Sequence, residues 1–177
     1  RGAVPRPPSP PAGKSLVWVG AHPDDEILIA GSMGPACVHA SSICTLVIAT
    51  RGEKGDCLLT GGCSPDLGSV RENEFRNAAA ILDAEPRVGD LPDGSGGTAE
   101  EVLQRWSAVV GGRQYLIATL VDIFRTRAAD VVITFDPRHG ITCHPDHRAV
   151  GELTLEAVQS MGSQAPALWF LEDVVEF

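Results

Sequence analysis

Two short polar segments hold most of the residues that could do chemistry: AHPDDE at 21–26 and HPDH at 144–147. Asp24 and Asp25 are adjacent carboxylates, which repel and shift each other's pKa values unless a cation relieves one of them. Zinc takes His nitrogen and Asp oxygen at about 2.0–2.2 Å in roughly tetrahedral sites. His22 and Asp25 are three apart across a turn, so both can face one ion, which leaves Asp24 beside it and close to a bound water. The second segment adds two imidazoles, His144 and His147, and the carboxylate of Asp146. One of the two imidazoles would complete a three-ligand site with its fourth position open to water, the mark of a catalytic rather than a structural zinc. Such an ion lowers the pKa of its water to about 7 and polarises a bound carbonyl. Asp24 is then placed to act as general base. The remaining imidazole could stabilise a tetrahedral oxyanion and protonate a leaving amine, with Asp146 holding that ring in orientation.

Each residue also has a plainer reading. A lone His, or an Asp-Asp pair at a strand end, is usually a cap or a solvated turn. Two His-Pro-Asp segments, each just after a predicted strand, argue for a site instead. His39 has no carboxylate in its neighbourhood and reads as a surface residue, while His139 either lines the site or sits in a solvated loop. Cys143 lies beside His144, but nothing supplies the base and electropositive setting that a nucleophilic thiol needs.

Strands must deliver both segments to one place. LVWVG at 16–20, CTLVIA at 44–49 and DVVITFD at 130–136 are continuous apolar runs suited to strands buried on both faces. VGDLPDG at 88–94 reads as a short strand and turn, and LWFLEDVVEF at 168–177 as one or two strands. A helix is expected from about Asp25, fading near Gly34–Pro35. Capping-box patterns at Ser69–Glu72 and Thr98–Glu101 start two more, with Phe75 to Leu82 and Val102 to Val110 as their apolar faces. Leu116, Leu120, Ile123 and Phe124 mark another helix, and Val150, Leu153, Ala157 and Met161 a last one. Strands alternating with helices give an α/β fold with a mainly parallel sheet. Ligands in such sheets sit at the carboxyl ends of strands, where both His-Pro-Asp segments fall.

The length of 177 residues and hydrophobic content of 44% suit a single domain. A formal net charge of -9, without a Lys/Arg cluster, argues against binding nucleic acid or anionic membrane. No apolar run reaches the roughly 18 residues of a membrane span. Residues 1–14 contain five prolines and read as a flexible leader before a domain at 15–177; the first residue is Arg1, as expected of a processed or trimmed start. The cysteines are Cys37, Cys44, Cys57, Cys63 and Cys143, with no C-x2-C pair for a zinc ribbon. Cys57 and Cys63 flank a Gly-rich loop and either form a disulfide or are free thiols like the rest. A bridge there, with the Pro-rich leader, would point to an extracytoplasmic location.

Taken together, these blocks resemble the LmbE/PIG-L family of metal-dependent N-deacetylases over most of residues 16–177. Besides AHPDDE and HPDH, the matching stretches are TRGEKG at 50–55, VRENEFRNAAAIL at 70–82, LPDG at 91–94 and ADVVITFDPRHGITCHPDHRAVG at 129–151. The resemblance implies a single Rossmann-like domain that binds Zn2+, Fe2+ serving in some members, and removes an N-acyl group from an amino sugar or glycoconjugate. It implies His22, Asp25 and His147 as metal ligands, Asp24 as general base, and His144 as acid and oxyanion stabiliser oriented by Asp146. Arg71 and Asp93 match positions that contact sugar hydroxyls or a phosphate, and Glu53 matches a pocket-lining position. The chain departs from the pattern at Thr142, where some relatives have a catalytic Tyr, in the loop from Asp56 to Gly68, and in a C-terminus shorter than many relatives have. Two competitors stand against a deacetylase: a non-catalytic, metal-containing sugar-binding module, and a dinucleotide-binding protein. The latter lacks a G-x-G-x-x-G after the first strand. Oligomeric state stays open.

Overall fold

In a computed structural model, which describes residues 10–94 and 96–171, five strands form one sheet in the order β3-β2-β1-β4-β5. The strands are β1 Ser15–Gly20, β2 Ile43–Thr50, β3 Ala84–Leu91, β4 Val131–Phe135 and β5 Ala167–Leu171, and every neighbouring pair is parallel. The helices are α1 Ile27–His39, α2 Leu67–Ile81, α3 Ala99–Val110, α4 Arg113–Thr126, the short α5 Gly140–Cys143 and α6 Pro145–Ser160. β1, β2 and β4 are central and buried almost throughout, as their continuous apolar runs require. β3 and β5 are half-exposed edges, and the Pro86 that lacks a ladder donor lies in β3.

The order in which strands are added across the sheet reverses at β1. From there the order runs outward to β2 and β3 on one side and to β4 and β5 on the other. Right-handed crossovers then put α1 and α2 on one face and α3, α4 and α6 on the other. The last three pack against one another, and α6 also covers β1 and β4. Trp18, Trp106, Phe75, Phe124 and Phe135 are the bulkiest fully buried side chains. The crevice beyond the carboxyl ends of β1 and β4 is the switch point at which ligands bind in open α/β sheets. AHPDDE follows β1 and HPDH follows β4, so the topology brings them together there.

Local differences from the sequence reading have specific causes. α1 continues through Pro35 to His39 instead of stopping at Gly34–Pro35, because Met33, Ala36 and Cys37 stay buried and Cys37 is bridged to Cys44 of β2. α2 begins at Leu67, and its cap is Asp66, not Ser69: the Asp66 carboxylate accepts the Ser69 N–H at 2.8 Å. Glu72, the expected capping-box partner, is taken by Arg51 and Arg76 instead. The Thr98–Glu101 box is present as expected. Cys57 and Cys63 are also bridged, leaving Cys143 as the exposed free thiol. Residues 1–9 of the Pro-rich leader and 172–177 of the last apolar stretch lie outside the described residues. No helix among the described residues is long and apolar enough to cross a membrane.

Candidate active site

The turn after β1 is held by its own acids. Asp25 Oδ2 accepts the backbone N–H groups of Ala21 and His22 at 2.7 and 2.8 Å, and Glu26 accepts that of Asp24 at 2.9 Å. Short side chains that return to nearby backbone donors stabilise such a turn. Thr50, at the end of β2, clasps it from beside: its N–H and hydroxyl both donate to the Ala21 carbonyl. Asp24 emerges with φ at 110°, an unusual value for a residue with a Cβ, and its side chain is 70% exposed. A strained, exposed carboxylate next to a buried one is a candidate for function.

The second turn is equally constrained. His144 is the N-cap of α6, and its Nδ1 accepts the Asp146 N–H at 3.2 Å; Pro145 follows at the first helical position. That bond leaves the neutral ring's proton on Nε2. His147 donates from Nδ1 to the Gly140 carbonyl at 2.9 Å, which turns its Nε2 toward the Asp25 carboxylate. Gly140 has φ of 57°, and a Cβ there would lie 2.8 Å from the His147 Cβ, so the close approach needs glycine. Phe135, the last residue of β4, stacks flat on the His147 ring at 4.0 Å, and Trp18 packs edge-on against Phe135. The three imidazoles converge, with ring centres 4.8 to 5.3 Å apart.

Around them lies an excess of carboxylate. His147 Nε2 is 3.1 Å from Asp25 Oδ1, and His22 Nδ1 is 3.8 Å from Asp25 Oδ2. His22 Nε2 is 3.2 Å from both Asp93 and Asp146. Burial alone would neutralise His22, but hydrogen bonds to Asp146, Asp25 and Asp93 outweigh it and push its pKa up to about 11. Burial raises Asp25, yet His147 and His22 hold it well below the usual carboxylate range. Asp93 is pulled down to about 2, its desolvation outweighed by His22 and by backbone N–H donors. Asp24 is raised by burial despite the Arg71 charge. His144 is lowered by burial and by the neighbouring His22 and His147.

This donor set fits a divalent cation. His147 has an acceptor at each ring nitrogen, a carbonyl and a carboxylate, and His22 has carboxylates at both. A cation seated between the rings and the carboxylates would meet these oxygens and the ring nitrogens together. Asp146 is fully buried and its Oδ1 has no hydrogen-bond partner, a costly arrangement for a carboxylate. Among the described residues, the ligand atoms of His22, His144 and His147, and those of His22, Asp93 and Asp146, lie within 4.8 Å of one another. Asp25 is in neither trio but touches His147 directly and lies beside His22.

The remaining expected residues are placed as follows. Arg71, on α2, donates to Gly52 O, to Pro23 O and to Asp24 at 2.9, 2.6 and 2.5 Å, so its guanidinium is committed to the base candidate's own turn. Asp93 is buried against His22, and its Oδ2 accepts the Lys54 N–H at 2.8 Å. Glu53 is exposed and accepts the Asp93 N–H at 2.9 Å, so these two acids tie the loop after β2 to the loop after β3. The Asp146 carboxylate faces His22 and accepts the Gly94 N–H; only its backbone touches His144, a correction to the orienting carboxylate expected from the spacing. Thr142, between Ile141 at φ 65° and Cys143 at φ 57°, is exposed. His139 is exposed and bonded to Asp136, and His39 is exposed on α1. Sequence reasoning missed Glu26, Phe135 and Gly140. Only Glu26 carried a signal, as the third acid of AHPDDE; the others act through contacts made in space.

Several known proteins are similar to this chain in sequence or in fold. A family model described as PIG-L, GlcNAc-PI de-N-acetylase, matches residues 17–158. A 1D-myo-inositol 2-acetamido-2-deoxy-alpha-D-glucopyranoside deacetylase of Rhodococcus jostii is 33% identical over 162 residues, covering 85% of this chain and 55% of that protein. The enzyme of the same description from Mycobacterium leprae is 32% identical, covering 85% and 52%. The chain thus spans about half the length of these relatives. Among solved structures, the deacetylase of the antimicrobial A40926 pseudoaglycone superposes with a TM-score of 0.67 at 21% identity, over 91% of this chain and 64% of that one. The 4-carboxy-2-hydroxymuconate hydratase of Pseudomonas putida also superposes, with a TM-score of 0.61 at 21% identity, over 89% and 62%. Deacetylase and hydratase on one fold mean that the fold alone does not choose the reaction. With its strand order, its paired His-Pro-Asp turns and the match over residues 17–158, the chain belongs to the PIG-L family.

Proposed function

We propose that this protein is a metal-dependent hydrolase that removes an N-acyl group, acetyl in the simplest case, from an amino sugar or glycoconjugate. The observation that carries the reading is the delivery of His22, Asp25 and His147 to the switch point between β1 and β4, with Asp24 exposed beside them. The similarity to the inositol-glucosaminide deacetylases supports the amino-sugar substrate. His22, Asp25 and His147 would hold the ion, zinc in our reading, with iron(II) the alternative. When bound, such an ion supplies Lewis acidity to a water and to the substrate carbonyl.

The chain's own residues do the rest. Asp24 accepts a proton from the attacking water as the new C–O bond forms at the acyl carbon. Burial raises its pKa, which suits a group that must both take and release a proton. His144, with Nδ1 engaged by the Asp146 N–H and its proton affinity lowered by burial, presents Nε2–H to the tetrahedral oxyanion. The acid role expected for His144 needs a doubly protonated ring, which this cap opposes. We therefore assign to Asp24 the delivery of the proton to the leaving nitrogen as the C–N bond breaks. Arg71 keeps Asp24 aimed, and Asp93 and Asp146 hold His22. The disulfides Cys37–Cys44 and Cys57–Cys63 support an oxidising, extracytoplasmic location.

The test is acetate release from methyl N-acetyl-β-glucosaminide and N-acetylglucosaminyl inositol, followed by mass spectrometry. Activity that chelation abolishes and zinc restores is the expected result. Failure to hydrolyse any N-acyl amino sugar with metal bound would overturn the reading.

A further inference from the structure

Beside Asp24 a cleft of about 520 Å³ opens between the first His-Pro-Asp turn, the loop after β2 and one face of α2. Its apolar wall is made by Pro23, Leu58, Leu59, Val70 and Phe75. Leu58 is 90% and Leu59 50% exposed, on a loop tied by the Cys57–Cys63 bridge. A single exposed leucine needs no explanation. Two in succession, fixed on a covalently closed loop and facing a cleft that shares Pro23 and Asp24 with the candidate active site, form a surface that a ligand can cover.

The charges around the cleft restrict that ligand. Asp24, Glu26, Asp56 and Glu74 line it, and among the described residues lining it Arg71 is the sole cation. Arg71 is already engaged by Gly52, Pro23 and Asp24. No basic group in the wall is left to receive a phosphate, while four carboxylates repel one.

We propose that this cleft is the subsite for the substituent carried by the N-acyl amino sugar, and that it takes an uncharged or cationic apolar group and rejects a phosphorylated one. The proposal rests on the amide-hydrolase reading for the position of the sugar, and on the leucine pair and the carboxylate excess for its selectivity.

The experiment compares methyl and hexyl β-glycosides of N-acetylglucosamine with N-acetylglucosamine 1-phosphate on the zinc-loaded full chain. Each methylene fully buried is worth roughly three- to fourfold, so the hexyl glycoside should show a KM lower than the methyl by about tenfold or more, with kcat changed little. The 1-phosphate should show a KM at least about tenfold above the methyl glycoside. Leu58→Ser with Leu59→Ser, both at exposed positions, should bring the hexyl KM up to the methyl value, and Asp56→Asn with Glu74→Gln should lower the KM of the phosphate. Equal KM values for the methyl and hexyl glycosides, or a preference for the phosphate, would overturn the proposal. Calorimetry with methyl and hexyl β-glucosides, which carry no amide, separates the two readings. Tighter hexyl binding without acetate release from any substrate supports the cleft and rejects the hydrolase, whereas acetate release with equal binding of the two glucosides rejects the cleft alone.

Discussion

Gly151→Ala probes how closely the fold holds the second His-Pro-Asp turn. Gly151 lies one turn beyond His147 on α6 and is buried against the end of β4. A Cβ there would stand 2.4 Å from the Phe135 carbonyl oxygen and 3.2 Å from the Pro137 nitrogen. Ordinary contact begins at 3.4 Å, so α6 must retreat by roughly 1 Å from a backbone that cannot step aside. Helix propensity alone favours Ala over Gly by about 1 kcal/mol, and overpacking opposes it by about 1–3 kcal/mol. The stability gain normal for this substitution should therefore vanish or reverse. The larger effect falls on the site. The retreat carries His147 away from Asp25 and from the Phe135 ring, and a misplacement of about 1 Å can lower a rate by roughly a hundredfold. Calorimetric zinc affinity and the kcat for acetate release, measured beside the melting temperature, read the two effects separately. A variant that melts higher than the parent and binds zinc equally well would refute the reasoning.

Asp24→Asn should lower kcat by about 10²–10⁴ while leaving zinc affinity near its parent value; loss of zinc would instead make Asp24 a ligand. Zinc-free protein should lose stability on the alkaline side. The raised His22 pKa, about 11 against an ordinary value near 6.5, contributes stability that is complete below about pH 6.5 and is lost as pH rises toward 11. Bound zinc, which needs His22 unprotonated, should flatten that decline, and melting curves from pH 6 to 10 with and without zinc would check it. Asp66→Ala should lower the melting temperature by roughly 2–4 °C through loss of the α2 cap. Ser69→Ala should have the smaller effect, and the reverse order would restore the capping box expected from the sequence.

The strands and the site could be read from the sequence for the same reason. LVWVG, CTLVIA and DVVITFD are apolar almost throughout, so they had to be central; one His-Pro-Asp segment follows β1 directly and the other follows β4 after a short loop and α5. What escaped depends on the third dimension. Ser69 and Asp66 both offer a capping oxygen, and only the backbone of the loop decides between them. The Cys37–Cys44 bridge joins the end of α1 to β2, a pairing that spacing alone does not reveal. Asp146 sits two residues from His144, yet the helix turns its carboxylate toward His22. Arg71, expected to meet substrate, also donates from α2 to Pro23 and Asp24, nearly fifty residues earlier in the chain, a link that spacing does not reveal.

A zinc titration of metal-free protein, with acetate release from methyl N-acetyl-β-glucosaminide recorded at each point, tests the central claim most directly. If the two His-Pro-Asp turns form one metal centre, activity rises linearly and saturates at about one zinc per chain, and His22→Ala and His147→Ala each abolish both tight binding and turnover. Acetate release that is complete before zinc is added, or that survives both substitutions, would contradict the account.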